Sequence, residues 1–187
     1  MKKGLIVALL VALLVALTFG GTLAWLTDET GPVVNTFQVG NISIKLTELN
    51  WDQNENKIYP GAEISKEPVV TIEADSEDCY VFMQCTNSIP DGIAEFDFSS
   101  SWKLIDAANG IYVYTTDGIN PAIIEKSEND TTLDALFTKM TIDENVTRTQ
   151  IRSLTNPKIT VQAYAQQSAN NSYEAIEADA ISWLINN

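Results

Sequence analysis

Residues 42–47, ISIKLT, put Ile42, Ile44 and Leu46 at every second position, with Ser43, Lys45 and Thr47 in between. Successive side chains of a strand point to opposite faces, so this is one apolar face backed by one polar face, a half-buried strand. The same period returns late in the chain, where Ile159, Val161, Ala163 and Ala165 alternate with Thr160, Gln162 and Tyr164. Val69–Ile72 and Tyr80–Gln84 read as further strands around the polar turn EADSED (73–78), and Tyr59-Pro60-Gly61 marks a turn ahead of them. In WKLIDAANGIYVYTT (102–116) two apolar segments flank Asn109-Gly110, a pair that predicts a hairpin with a type I′ turn.

Helical spacing occurs twice. Leu133, Leu136, Phe137 and Met140 follow i, i+3, i+4, i+7, which predicts one or two helical turns leading into extended chain at FTKMTI (137–142). At the carboxy terminus Asn171 is the expected cap, Glu174 follows three residues on, and Ile176, Ala180, Ile181 and Leu184 form an apolar stripe, so a short helix ends the chain. With no long repeat and no linker rich in Gly, Pro or Ser, residues 39–187 read as one all-β domain, an antiparallel β-sandwich with short helical insertions.

Upstream of this domain, Lys2 and Lys3 precede an apolar run, Gly4–Phe19, and Gly20-Gly21 then leads to Thr22-Leu23-Ala24. A basic start, an apolar centre and small residues at the cleavage positions make 1–24 a signal peptide cut between Ala24 and Trp25. The alternative is an uncleaved membrane anchor, since the uncharged run to Leu26 is long enough to span. Cleavage leaves a secreted chain whose amino-terminal arm, 25–38, exposes Trp25, Leu26, Val33, Val34 and Phe37. The net charge is −14 for the full chain and, without Lys2 and Lys3, two units more negative at −16. An acidic protein of this kind repels nucleic acid and anionic membranes, so neither is an expected partner.

The chain contains no histidine, which excludes an HExxH zinc site, a Cys/His pair and a Ser/His/Asp triad together. No motif selects two of the 25 acidic residues as a catalytic pair, and no enzymatic activity is expected. Cys79 and Cys85 fall on one face of CYVFMQC (79–85), about 20 Å apart in an extended strand, too far for a disulfide, and read as buried reduced thiols. Unpaired thiols in a secreted chain suit an anoxic habitat or a compartment without strong oxidants. No cofactor is expected; calcium is the one weighed, because EADSED and SENDTTLD (127–134) crowd carboxylates into short loops, but neither has the D-x-[DN]-x-[DN]-G pattern. Sequons at Asn41, Asn129, Asn145 and Asn170 matter only in a host that glycosylates them.

Taken in order, GTLAWLTDE, NTFQVGNISIKL, YPGAEISKEPVV, CYVFMQC, SWKLIDAANGIYVYTT, ALFTKMTIDENVT and KITVQAYAQQ resemble the TasA/camelysin family, secreted matrix proteins of Gram-positive bacteria processed by a dedicated signal peptidase. The amino-terminal block is the specific part. The resemblance implies a jelly-roll sandwich, head-to-tail assembly into extracellular biofilm fibres in which the arm of one subunit completes the sandwich of the next, and itself as partner, with other matrix proteins as further candidates. The metallo-endopeptidase label of some relatives does not carry over to a chain without histidine. Two cysteines and an Asn-rich tail depart from the pattern. The competing structural reading folds the arm back as an edge strand of its own domain, and the competing functional reading is a monomeric surface module that binds glycan or a host protein.

Overall fold

The computed structural model describes residues 41–49 and 57–187, all within one compact unit, Gly40–Asn187. Among the described residues, ten strands and two helices follow in chain order: β1 (Ile44–Leu49), β2 (Glu63–Ser65), β3 (Glu67–Ile72), β4 (Cys79–Asn87), β5 (Ala94–Phe98), β6 (Trp102–Asp106), β7 (Ile111–Tyr114), β8 (Thr131–Thr132), β9 (Phe137–Ile142), α1 (Arg148–Ser153), β10 (Ile159–Gln167) and α2 (Tyr173–Asn186). They build three antiparallel sheets in the orders β1-β3-β8, β10-β4-β7-β6 and β2-β9-β5. Only Lys66 separates β2 from β3; its N–H donates to the Thr138 carbonyl, and its ammonium, buried at this break, pairs with Glu48 of β1.

All three sheets turn apolar side chains onto one core. Val70 and Ile72 of β3, Cys79, Val81 and Met83 of β4, Trp102 of β6, Tyr112 of β7 and Phe137 of β9 pack there, with Ile42, Ile44 and Leu46 from one flank and Ile159, Val161, Ala163 and Ala165 from another. The two alternations read from sequence thus supply the margins of a sandwich-like core, as expected. Its centre is β4, whose opposite parity is also buried: Phe82 joins Ile111 and Val113 of β7 on the back of the four-stranded sheet, under Ile176, Ala180 and Leu184 of α2. A strand covered on both faces has no polar side to show, which is why 80–83 reads as an unbroken apolar run. A third cluster, including Ala62, Ile64, Met140 and Ile142, closes the end of β2-β9-β5 against Ile89, Ile93 and Val146.

Three local expectations are corrected. Residues 133–140 contain no helical turn: Leu133 N–H donates to the Val70 carbonyl and Leu136 N–H to that of Pro68, so this stretch runs beside β3. The helix-like spacing of Phe137 and Met140 has another source. Along the β5 to β9 pairing, Phe98 faces Phe137 and Phe96 faces Met140, so β9 carries one extra residue and its two inward side chains fall three apart. The amides of Thr138 and Lys139 at this bulge both donate to Asp97 Oδ1, at 3.0 and 2.7 Å.

The β6 to β7 hairpin forms, but not with a type I′ turn. Of the Asn-Gly pair only Gly110 has positive φ (+62°), and four residues, 107–110, connect the strands. Asp106 organises the loop, its Oδ1 accepting from Ala108 N and Asn109 N and its Oδ2 from Asn109 Nδ2. Gly110 is needed twice over, since a Cβ there would lie 2.3 Å from the Cys85 carbonyl oxygen. The last helix is capped one residue later than predicted, by Ser172, whose Oγ accepts from Ala175 N.

Candidate functional site

The predicted cleavage pair Ala24 and Trp25, and the arm residues Leu26, Val33, Val34 and Phe37, lie outside the described residues. What the described domain contributes is the set of surfaces available to such an arm or to another ligand, and the fate of each residue singled out from the sequence. Among the described residues β1 and β10 each end a sheet, with β3 and β4 as their respective neighbours.

The two acidic loops, distant in sequence, come together. Asp75 N–H donates to the Ser127 carbonyl at 2.8 Å, Ala74 N–H to Asp130 Oδ1 at 2.9 Å, and Lys126 N–H to Asp78 Oδ1 at 2.7 Å, while Lys126 Nζ pairs with Glu77 at 2.8 Å. Carboxylates that accept backbone amides across a loop pair are a structural clasp, with charge-assisted bonds roughly twice as strong as neutral ones. No group of three or more Cys, Asp or Glu poised to hold a metal ion occurs among the described residues.

Both cysteines are free, Cys79 buried and Cys85 half-buried. Burial pushes each thiol up to about 11; nearby Asp78 adds to the effect at Cys79, and Lys66 opposes it at Cys85. At pH 8 a thiol of this kind is only ~0.1% thiolate, against about a quarter for an ordinary cysteine near 8.5, and the thiolate is the nucleophile. Alkylation of the folded protein is therefore expected to be at least ~100-fold slower than in urea, as followed by intact mass. Equal rates in the two solvents would mean that strand β4 opens freely.

Two surface concavities flank the Tyr59-Pro60-Gly61 turn. One, of about 440 Å³, is lined by acidic side chains including Glu63, Glu95, Asp143 and Glu144, with Lys139 paired to Glu63 at 2.8 Å. The other, of about 290 Å³, lies between Ile58, Tyr59 and Pro60 on one side and Arg148, Ile151 and Arg152 of α1 on the other. The sequence reading missed α1, although its signal was present: Thr147 and Gln150 form a capping box, the Thr147 hydroxyl taking Gln150 N–H while the Gln150 side chain takes Thr147 N–H. Capping sets the helix going at Arg148, and the helical period then brings Arg148 and Arg152 onto one face. These are the two arginines of the chain. Among the described residues neither takes part in an ion pair, and the three ion pairs found there all use lysine.

No helix among the described residues is long and apolar enough to cross a membrane. No protein-family model, curated protein or solved structure matches this chain.

Proposed function

We propose that this is a secreted structural protein that assembles head-to-tail into extracellular matrix fibres, the amino-terminal arm of one subunit adding to the β-sandwich of the next, with the jelly-roll wrapping of the family it resembles. The observation that carries the reading is the pairing of a sandwich-like domain in which β1 and β10 each end a sheet among the described residues with a leader-like segment that, once cut, frees Trp25, Leu26, Val33, Val34 and Phe37. An edge strand presents a row of unpaired N–H and C=O groups, and strand addition satisfies them while apolar side chains fill pockets. Burying each large apolar side chain is favourable by roughly 1.5–3 kcal/mol, so five of them give an exposed arm a strong tendency to dock. A contact between unlike surfaces that does not close on itself propagates as a filament. No catalytic role is proposed for a chain without histidine.

The test is electron microscopy of protein beginning at Trp25, alongside a variant lacking residues 25–37. Filaments are expected from the first and folded, non-polymerising domains from the second. Persistent monomers of the intact mature chain, retained on matrix polysaccharide, would instead favour a glycan-binding surface module.

A further inference from the structure

We infer that the groove between Ile58–Pro60 and α1 receives residues Trp25–Glu29 of a second copy, with Arg148 and Arg152 pairing the carboxylates of Asp28 and Glu29; this rests on the fibre reading above. The groove combines two chemistries. Arg148 and Arg152 are exposed and in no ion pair among the described residues, in a chain where acidic residues outnumber basic ones 25 to 11. Beside them, Tyr59 is 58% exposed, Pro60 is exposed, and Ile58 and Ile151 are half-buried. A small inorganic anion has no use for the apolar wall, and a purely apolar ligand has none for the guanidinium groups. The occupant must offer large apolar groups and negative charge within a few residues of each other.

The stretch Trp25-Leu26-Thr27-Asp28-Glu29 has that composition. At ~3.3 Å per residue, an extended chain carries Asp28 and Glu29 about 10–13 Å beyond the backbone of Trp25, so one short segment serves both walls of a groove of about 290 Å³. Arginine suits the pairing, because its planar fork holds a carboxylate bidentately and is more weakly hydrated than an ammonium. Charge also selects the partner's register. The concavity on the other side of the Tyr59 turn is lined by Glu63, Glu95, Asp143 and Glu144 and repels the same acidic segment, so the arm is directed to the arginine side alone.

The experiment uses three mature proteins: wild type, a groove-reversed form (R148E/R152E) and an arm-reversed form (D28K/E29K), each checked for a folded domain by circular dichroism and followed by light scattering and filament counts. Each reversed form alone is expected to lose tenfold or more in assembly rate. An equimolar mixture is expected to recover, because alternating subunits then match every arm to an opposite-charged groove. Recovery excludes misfolding as the cause of the single losses and shows that the contact joins different copies. Wild-type rates for either reversed form, or a mixture that stays inactive, would overturn the assignment. So would unchanged filaments together with loss of polygalacturonate binding in the groove-reversed form, which would make the groove a site for anionic glycan. If wild type forms filaments that need residues 25–37 but tolerate both reversals, this inference falls while the fibre reading stands. If wild type forms none, both fall.

Discussion

Ending the chain at Asn171 is expected to abolish cooperative folding, although it removes nothing from any sheet. The reason lies in the second buried face of β4. Phe82, Ile111 and Val113 are fully buried on the back of the four-stranded sheet, and Ile176, Ala180 and Leu184 of α2 cover them. Aromatic contacts tie the two together, Tyr80 with Tyr173 at 5.2 Å and Tyr164 with Trp183 at 5.2 Å between centroids. Removing the helix forfeits burial of several large side chains at roughly 1.5–3 kcal/mol each. A whole domain is stable by only about 5–15 kcal/mol, so the loss consumes most of that margin. The exposed sheet face would also be an apolar patch prone to association. Leu184→Ala is the graded version: with the side chain almost fully buried, about 2–5 kcal/mol should disappear from a urea melt. A truncated chain that unfolds at the wild-type urea midpoint would show that α2 is an ornament rather than part of the core.

This dependence marks how far the sequence could be read. The outer strands were legible because their apolar residues alternate with polar ones: Ile42, Ile44 and Leu46, and Ile159, Val161, Ala163 and Ala165, reach the core with the parity their spacing predicts. The central strand was legible as a strand but not as a doubly covered one, because an unbroken apolar run does not name what covers it. Phe137 and Met140 misled because a β-bulge adds one residue between two inward side chains, and an interval of three is also a helical interval. Asn109-Gly110 located the hairpin, yet Asp106 set its geometry by taking the loop amides, leaving only Gly110 in the left-handed region. Arg148 and Arg152 were visible as a pair four apart, but that spacing gains meaning only once Thr147 and Gln150 are read as a helix start. The clasp between the acidic loops joins residues about 50 positions apart, such as Ala74 and Asp130, which no local pattern encodes.

On the fibre reading proposed above, assembly of the mature protein is expected to accelerate by on the order of 10-fold or more between 0.01 and 0.1 M salt. Each subunit brings a net charge of −16 once Lys2 and Lys3 are gone, and that repulsion is felt at long range. The Debye length shrinks from about 30 Å to about 10 Å over this interval, which removes most of the repulsion between approaching subunits. The proposed docking of Trp25 and Phe37 would be insensitive to such salt, and ion pairs seated in a groove are screened less than charges in open solvent. Lowering the pH from 7 toward about 4.5 should act in the same direction by neutralising ordinary carboxylates. A lower limit follows from the fold itself. Burial tends to raise the Asp97 carboxyl, but hydrogen bonds from Thr138 Oγ1 and the Lys139 and Thr138 amides outweigh it and hold it below the usual range. Asp106 is lowered by Asn109, and Asp117 is held at about 2 by the backbone and side chain of Asn120 and the amide of Ile119. Carboxyls depressed in the folded state bind protons more readily when unfolded, so their stabilisation is complete above about 4 and is lost as pH falls toward 2. The rate should therefore rise on acidification to about 4.5 and then collapse with the domain, a maximum that light scattering and circular dichroism recorded on the same samples would locate. Assembly that slows steadily from 0.01 to 0.1 M salt would mean that charge pairing, rather than burial of the arm, holds the subunits together.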